Sequence, residues 1–313
     1  MLGPQDVGYR VVVRQIVGIR EDRPLFSDVL GELLTYDDGG VTIATAAGVR
    51  RVAHGAIHTA KRVPRPAREI TRLERVASDA WPAPLRERLG DWELRAAGGW
   101  TGRANSALPL GDPGTDRAAA IDAVVRWYTA RKLAARINVP LPTCAALDAE
   151  LTARGWARSP ATLVLTAPLD RVLAGAPTRL DLPPVALAAA PDDAWLAVVA
   201  ARKNGLPPEA RQVLTGPALV RFASVERDRA VARGAVVGGY LHLALVEVAQ
   251  DARRQGLARH VTRALSEWGA AHSAGTAFLQ VEARNTPARA LYVRLGFAVH
   301  HEYVTRTAPP ARG

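Results

Sequence analysis

A turn that combines cationic side chains with a glycine separates a strand from a helix in the last third of the chain. The stretch "DARRQGLARHVTRALSEW", residues 251–268, places Arg253, Arg254, Gln255 and Gly256 before a run with helical apolar spacing. The first N–H groups of a helix lack partners, the helix dipole favours negative charge, and glycine lets a ligand approach the backbone. The stretch predicts a site for a phosphorylated ligand; the alternative is the solvated start of a surface helix.

Three predicted antiparallel strands lead into this turn. The runs "VRFASVE", "AVARGAVV" and "YLHLALVEV" have the composition and turn signals of successive strands. The helix after the turn carries Leu257, Val261, Leu265 and Trp268 at helical spacing, and Ala258 keeps its first turn small. A strand, a turn and a helix in this order present main-chain donors at the edge of a sheet.

The chain beyond residue 70 contains a diverged internal repeat. An offset of 141 residues places Trp127 on Trp268 and Gly155 on Gly296. Each copy then continues through a strand, a helix and a final strand. We therefore expect two copies of one unit, at residues 71–170 and 185–308.

The first 63 residues follow a different pattern. Five short β-rich runs separated by turn signals occupy about 55 residues, which is typical of a small closed barrel. The proline-bearing stretch "VPRPAREI" then leads into a helical pattern, so the first domain boundary is predicted there. A small barrel can serve in binding, oligomerisation or packing.

Composition excludes several classes of protein. The longest uncharged apolar stretch, Gly234 to Val246, has 13 residues, fewer than the ~20 that a membrane-spanning helix needs. No secretory signal is visible at the N-terminus, so a cytoplasmic location is expected. The single cysteine, Cys144, excludes an internal disulfide, and no cysteine or histidine cluster has metal-ligand spacing. No metal is therefore predicted.

The net charge of +11 is concentrated in residues 171–313, the part of the chain that contains the opening motif. This distribution favours an anionic ligand there. A nucleic-acid surface is ranked lower, because no cluster of cationic residues interleaved with aromatics is present.

Two motifs in order resemble the GNAT (Gcn5-related N-acetyltransferase) superfamily. The first is "RRQGLA", from Arg253 to Ala258, and the second is "NTPARALYVRLGF", from Asn285 to Phe297. The resemblance covers residues 186–308 and, more loosely, 71–170. It implies an α+β fold of tandem GNAT-like units, with a mixed, mainly antiparallel sheet flanked by helices. The whole layout looks like an actinobacterial family with an N-terminal SH3-like barrel, some members of which are described as N-acetylglutamate synthases.

The resemblance also implies a residue-by-residue site for acetyl-CoA as cosubstrate. Tyr292 would protonate the leaving thiolate, and Asn285 would hydrogen-bond near the pantetheine. The strand around Glu247 would present free backbone groups, one of them an oxyanion donor. The residues implied in cofactor binding are Val246, Val248, Arg253, Arg254, Gln255, Gly256, Leu257 and Ala258.

The general base is left open by the sequence. Superfamily enzymes that acetylate protein N-termini often carry a glutamate at the position of Gln280, which cannot accept a proton. Glu282 and Glu247 are the nearest carboxylates, and His242 is a third option. Strand alternation places Glu282 on the same face as Gln280, so it could act through a water. A solvated face or a structural ion pair is the alternative for each glutamate.

The first copy departs from the motif. It carries Asp112 and Asp116 where the diphosphate would lie, and Leu151 at the position of Tyr292, so we expect no cofactor there. Its stretch "GGWTGRANSALPLG" presents polar side chains on a predicted strand. They could hold an acceptor carboxylate across the interface between the copies, or form a structural hydrogen-bond network. These side chains are Arg103, Asn105 and Ser106.

The sequence thus predicts an acetyl-CoA-dependent N-acetyltransferase whose acceptor is a primary amine, either a small molecule or an amino acid such as glutamate. A protein lysine or N-terminal acetyltransferase is the alternative enzyme. A CoA-sensing or nucleic-acid-binding regulatory protein is the alternative from another class, although a sensor has no need for the acid Tyr292. The expected partners are acetyl-CoA and the amine, without a membrane; the oligomeric state is left open.

Overall fold

The structure is a computed structural model that describes residues 2–203, 205–226 and 228–310, without the side chains of residues 202 and 203. The N-terminal strands are β1 (Arg10–Arg20), β2 (Arg23–Asp37), β3 (Gly40–Thr45), β4 (Gly48–Ala53) and β5 (Ile57–Arg62). The first unit contains α1 (Ala67–Ala80), β6 (Leu85–Leu89), β7 (Trp92–Ala96), α2 (Arg117–Thr129), β8 (Arg136–Leu141), α3 (Ala145–Ala153), β9 (Ala157–Arg158) and β10 (Thr162–Pro168). The remainder contains α4 (Leu169–Gly175), β11 (Ala186–Ala188), α5 (Asp193–Lys203), α6 (Glu209–Thr215), β12 (Val220–Val225), β13 (Ala230–Val237), β14 (Tyr240–Val248), α7 (Leu257–Ala271), β15 (Thr276–Glu282), α8 (Thr286–Arg294) and β16 (Ala298–Thr307).

The N-terminal residues form the five predicted strands, but their sheet is open. The strand order is β4-β3-β2-β1-β5, all antiparallel, over a small core that includes Val11, Leu33 and Ile43. Within the described residues no pairing joins the edge strands β4 and β5, so the closed SH3-like barrel is not confirmed. The strands are also unequal in length, because β1 and β2 have 11 and 15 residues and extend beyond their neighbours as a hairpin.

The internal repeat is present in the structure. The order α2, β8, α3, β10 in the first copy corresponds to α7, β15, α8, β16 in the second. Trp127 and Trp268 are both buried, each in the core of its own copy, as the shared apolar face of the two helices predicts. The three strands β12, β13 and β14 are antiparallel neighbours, also as predicted.

The two copies share one nine-stranded mixed sheet because they exchange their last strands. Its main order is β11-β12-β13-β14-β15-β10-β16-β8, with the short β9 paired to β16. Thus β10 of the first copy pairs with β15 of the second, while β16 of the second pairs with β8 of the first. The domain boundary predicted near residue 170 therefore does not separate two sheets, and residues of the first copy lie close to the motifs of the second.

Among the described residues, no helix combines the length and the apolar character needed to cross a bilayer.

Candidate active site

A large cleft lies at the amino ends of α7 and α8. Its volume is about 1090 Å³, and the turn before α7 forms one of its walls. The strand β14 contributes Val246, Glu247 and Val248, and the turn before α8 contributes Asn285. This cleft is lined by Asn285 and by all eight residues that the sequence implicated in cofactor binding. The eight are Val246, Val248, Arg253, Arg254, Gln255, Gly256, Leu257 and Ala258.

The glycine of the turn has a conformation that favours this residue. Gly256 lies at φ +92° and forms the N-cap of α7, with Arg254 also left-handed at φ +61°. The first turn of α7 has no side-chain cap, so its N–H groups remain available to an anion. In the first copy the corresponding helix, α2, is capped by Asp116, whose Oδ1 accepts from Ala119 N at 2.9 Å. That carboxylate lies where an anion would have to bind.

More cationic side chains line the cleft than the motif predicted. Arg179 belongs to the connection between the copies, Arg259 to α7 and Arg294 to α8. A Cβ atom built on Gly256 would lie 2.9 Å from Arg179 Nη1, so the guanidinium is at the glycine turn. Arg179 also donates to Asp181, Nε to Oδ1, at 2.6 Å. The concentration of positive charge in residues 171–313 was the sequence signal for these residues.

A smaller cavity of about 320 Å³ opens where β14 and β15 separate. These parallel strands pair only from Tyr240 to His242, and beyond that point they diverge. A register shift in the β13–β14 pairing accompanies Leu245 at φ +53°, so β14 also bulges there. The diverging strands leave backbone groups of residues 243–247 and 279–282 around the cavity. The two cavities share Val246, Glu247, Asn285 and Ala288.

Tyr292 is at the inner wall of the smaller cavity. It is 8% exposed, and its ring contacts that of Phe297 with 5.6 Å between centroids. Burial, together with the negative charge of Glu247, raises the pKa of the phenol above its usual value of 10. The side chain therefore holds its proton at neutral pH and can only act as an acid.

Arg103 reaches this cavity from the first copy. Its Nη1 donates to Gln280 Oε1, a residue 177 positions later, and its guanidinium lies 4.9 Å from the centre of the Trp81 ring. Partial burial lowers the pKa of Arg103 from 12.5, yet a guanidinium stays charged at neutral pH. The structure thus brings a fixed cation into the cavity that contains Tyr292.

His242 holds the same glutamine. Its Nε2 lies 3.0 Å from Gln280 Oε1. A guanidinium only donates, so the Gln280 atom that faces Arg103 is the amide oxygen. His242 Nε2 donates to the same oxygen in the tautomer that carries a proton there, and Arg103 Nη1 lies 3.4 Å from this nitrogen. Burial, then the charges of Arg103 and Arg233, hold the pKa of His242 well below 6.5. His242, the third candidate base, therefore lies neutral and within hydrogen-bond distance of Gln280, and its role in proton transfer stays a prediction.

A residue that sequence reasoning missed, Trp81, keeps Arg103 in place. The guanidinium of the fully buried Arg233 lies 5.0 Å from the ring centre, and Trp81 Nε1 donates to Thr101 Oγ1 at 3.1 Å. Arg233 itself donates to the backbone oxygens of Leu214 and Ala80. Nothing in the sequence spacing connects these residues, since they meet only by packing.

Asn105 and Ser106 lie outside the residues that line either cavity. Asn105 accepts from Ala97 N and Gly99 N through Oδ1 and donates to Thr101 O through Nδ2. Ser106 Oγ accepts from the buried Arg95. The predicted strand is a short 3-10 helix, Arg103–Asn105. The structure therefore corrects this part of the prediction: both side chains are used to fix the loop that presents Arg103, which is the structural alternative.

The two candidate bases differ in their surroundings. Glu282 is exposed, and its Oε2 accepts from Arg284 Nε at 2.6 Å. Glu247 is partly buried on the wall common to both cavities, where its charge acts on Tyr292. Asn285 caps α8 by accepting from Ala288 N at 3.3 Å, which leaves its amide NH2 group for a ligand.

The first copy has a cleft at the equivalent place. It has a volume of about 330 Å³ and lies at the amino ends of α2 and α3, with Arg117 and Cys144 in its lining. Burial raises the pKa of the Cys144 thiol to about 11. Leu151, at the position of Tyr292, is in the hydrophobic core, so the first copy has no phenol equivalent to that of Tyr292 at this position.

Comparisons with known proteins identify the family of the chain. The family model described as "Probable histone acetyltransferase Rv0428c C-terminal" matches residues 67–305. Rv0428c of Mycobacterium tuberculosis, named a probable histone acetyltransferase, is 31% identical over 309 residues, covering 94% of this chain and 93% of that protein. YobR of Bacillus subtilis, named an uncharacterized N-acetyltransferase, is 26% identical over 254 residues, covering 76% and 99%.

Solved structures agree on the fold. A GCN5-related N-acetyltransferase from Kribbella flavida superposes with a TM-score of 0.59 at 16% identity, covering 77% of this chain and 96% of that one. A tandem GNAT protein from the clavulanic acid biosynthesis pathway gives a TM-score of 0.50 at 18% identity, covering 80% and 91%. Fold and family together define a GNAT-type N-acetyltransferase. The chain belongs to the Rv0428c acetyltransferase family.

Proposed function

We propose that the protein transfers the acetyl group of acetyl-CoA to the primary amine of a small acceptor that also carries a carboxylate, such as an amino acid. The observation that carries this proposal is the placement of Arg103 in the cavity that contains Tyr292. Free glutamate, which the sequence resemblance suggests, is one acceptor of this class. In this arrangement residues 71–170 act as the acceptor-side half and residues 185–308 as the cofactor-side half.

The large cleft fits coenzyme A. The left-handed turn at Gly256 and the uncapped start of α7 suit a diphosphate, and Arg179, Arg253 and Arg254 supply positive charge around it. The bulged part of β14 offers backbone groups to the pantetheine arm, and Asn285 offers its amide. The cosubstrate supplies a thioester that an amine can attack.

The smaller cavity supplies the groups that the transfer needs. A backbone N–H of the bulged strand, between Leu245 and Glu247, donates to the thioester oxygen as negative charge develops. As the amide C–N bond forms and the C–S bond breaks, Tyr292 donates its proton to the departing thiolate, so that thiol is released, and the second proton lost by the attacking nitrogen restores the phenol. Of the two carboxylates, Glu247 is better placed than Glu282 to accept the proton of the ammonium group, because it lies on the wall that joins the cavities.

The acceptor is recognised by opposite charges in the smaller cavity. Arg103 binds the acceptor carboxylate through the donors that Gln280 does not use, while the amine lies on the side of Glu247 and Tyr292. A protein lysine side chain is the second candidate acceptor, favoured by the name of the relative Rv0428c. Lysine in a peptide has no carboxylate for Arg103.

A panel of amines tests the proposal. Purified protein is incubated with acetyl-CoA and amino acids including glutamate, their amides, simple amines and a lysine-containing histone-tail peptide, and free thiol release is followed. We expect acceptor-dependent release that is faster with amino acids than with their amides. Release with the peptide alone would assign a protein acetyltransferase, and the absence of acceptor-dependent release across the panel would exclude the proposed transfer.

A variant of Arg103 tests how the acceptor is held. Arg103→Met should raise the KM for an amino acid acceptor by about tenfold or more, because a charge-assisted hydrogen bond is lost, while the KM for acetyl-CoA stays the same. The KM for the matching amide should change little. Arg126→Met on the exposed face of α2 is the matched control, since this arginine is exposed and lies outside the linings of both cavities. Equal effects on acid and amide would show that Arg103 supports the fold only.

A further inference from the structure

A third crevice lies where the N-terminal sheet meets the nine-stranded sheet. The sheets are joined there by a hydrogen bond from Val299 N to Gly8 O at 2.6 Å. The crevice has a volume of about 350 Å³, within the range of small-molecule sites and similar to the cavity beside Tyr292. The proposed transfer uses none of its residues. Its apolar lining comes from Val63, Pro64, Leu141, Pro142 and Val299, with the ring of Tyr9 beside them.

The charged side chains of this crevice are of two kinds. Arg62 forms an ion pair with Asp6, and Arg65 Nη2 forms one with Glu32 at 2.7 Å, so both guanidinium groups are neutralised by partners. Arg10 and Glu302 are different. Arg10 Nη1 donates to Pro64 O at 3.1 Å, and within residues 2–203, 205–226 and 228–310 neither Arg10 nor Glu302 forms an ion pair. The crevice thus presents one cationic group, Arg10, and one anionic group, Glu302, that are both available to bind a ligand.

A neutral hydrogen-bond acceptor completes the lining. His301 Nε2 lies 2.8 Å from Oε1 of the buried Glu74, and the Nδ1 atoms of His300 and His301 lie 2.9 Å apart. A carboxylate only accepts, so His301 carries a proton on Nε2. In the tautomer in which His301 is neutral, its Nδ1 accepts from His300 Nδ1, and the lone pair of His300 is then on Nε2, which has no partner in the described part of the chain. Burial is the main cause that lowers the pKa of His300, to about 3, and this keeps its imidazole neutral.

We propose that this crevice binds a free α-amino acid with an apolar side chain, at a site separate from the acetyl-transfer site. The ligand carboxylate binds Arg10. The ammonium group donates to the Glu302 carboxylate and to His300 Nε2, and the side chain packs on the apolar lining beside Tyr9. The arrangement selects a zwitterion, because the crevice offers one charge of each sign next to an apolar surface.

Calorimetry with L-phenylalanine as the probe tests the proposal. The full chain is titrated in the Arg103→Met background, so that binding in the acetyl-transfer cavity is weakened. We expect saturable binding of one molecule per chain. Two analogues test the two charged groups: 3-phenylpropionate lacks the ammonium group, and phenethylamine lacks the carboxylate. The affinity of each should be lower than that of L-phenylalanine by about tenfold or more.

Two variants assign the binding to this crevice. Arg10→Gln and Glu302→Gln should each weaken L-phenylalanine binding by about tenfold or more. Arg14→Gln is the matched control on the same strand, because its guanidinium pairs with Asp28 outside the crevice, and it should leave the affinity unchanged. Acetyl transfer by Arg10→Gln should equal that of the unaltered chain, so this test is independent of the proposed function. Absence of saturable binding, unchanged affinity in both variants, or equally tight binding of either analogue would overturn the proposal.

Discussion

Replacement of Tyr292 by phenylalanine is expected to lower kcat by about 10²- to 10⁴-fold, the usual contribution of a positioned general acid. The phenol is buried at the inner wall of the smaller cavity, and burial together with Glu247 raises its pKa above 10. Phenylalanine keeps the ring contact with Phe297 and removes only the proton that the thiolate needs. Steady-state thiol release with a saturating acceptor measures the effect.

The affinity for acetyl-CoA and the melting temperature of Tyr292→Phe should stay close to those of the parent chain. Tyr240→Phe is the matched control, because Tyr240 lies at the start of β14, outside the linings of both cavities. Since the pKa of Tyr292 is raised, kcat of the parent should not fall through titration of this phenol below about pH 10. A Tyr292→Phe variant as fast as Tyr240→Phe would assign the proton donor to another group.

Gly256→Glu is expected to reduce the affinity for coenzyme A by about 100-fold or more. At φ +92° the new side chain starts from the turn that precedes α7, 2.9 Å from Arg179 Nη1, and its carboxylate lies where the diphosphate binds in our proposal. Two like charges about 4 Å apart near a protein surface repel by about 4 kcal/mol, which is enough for this loss. Equilibrium binding of desulfo-CoA or CoA, followed by calorimetry, measures it.

Gly256→Gln separates charge from backbone strain. A side chain other than glycine in the left-handed region costs about 1–2 kcal/mol, and this cost is the same for glutamine and glutamate. It is present with and without ligand, so it lowers the melting temperature of both variants equally and changes CoA affinity much less. If both variants bind CoA equally well, the diphosphate is not at this turn.

The turn and the helix that we propose for cofactor binding were predictable from the sequence because their features are local. The turn before α7 needs only neighbouring residues and a glycine that accepts a positive φ, and the buried face of α7 follows from a spacing of three to four residues. The repeat was detectable for the same reason, since each copy encodes its helices and strands within its own segment. Asp116, which caps α2 in the first copy, is likewise a local substitution for an open helix start.

The acceptor half depends on contacts between distant residues, which spacing does not encode. Arg103 meets Gln280 only because β10 and β16 change places between the two copies, and Trp81 meets Arg103 and Arg233 only by packing. The polar stretch around Arg103 allowed two interpretations, and only the tertiary structure shows which contacts its side chains make. The side chain of Asn105 hydrogen-bonds to the backbone of Ala97 and Gly99 in its own copy, whereas that of Arg103 contacts the second copy.

The N-terminal strands show the same contrast between features that local sequence specifies and features that depend on tertiary contacts. Their number and order along the chain followed from turn residues and β-rich runs, but closure depends on whether the edge strands β4 and β5 pair, which local sequence does not specify. Local sequence therefore determined the elements, the repeat and the glycine turn before α7 in this protein. Only the tertiary structure decided which strands pair across the copies and which charged side chains share a cavity, because those outcomes follow from the packing of residues far apart in the chain.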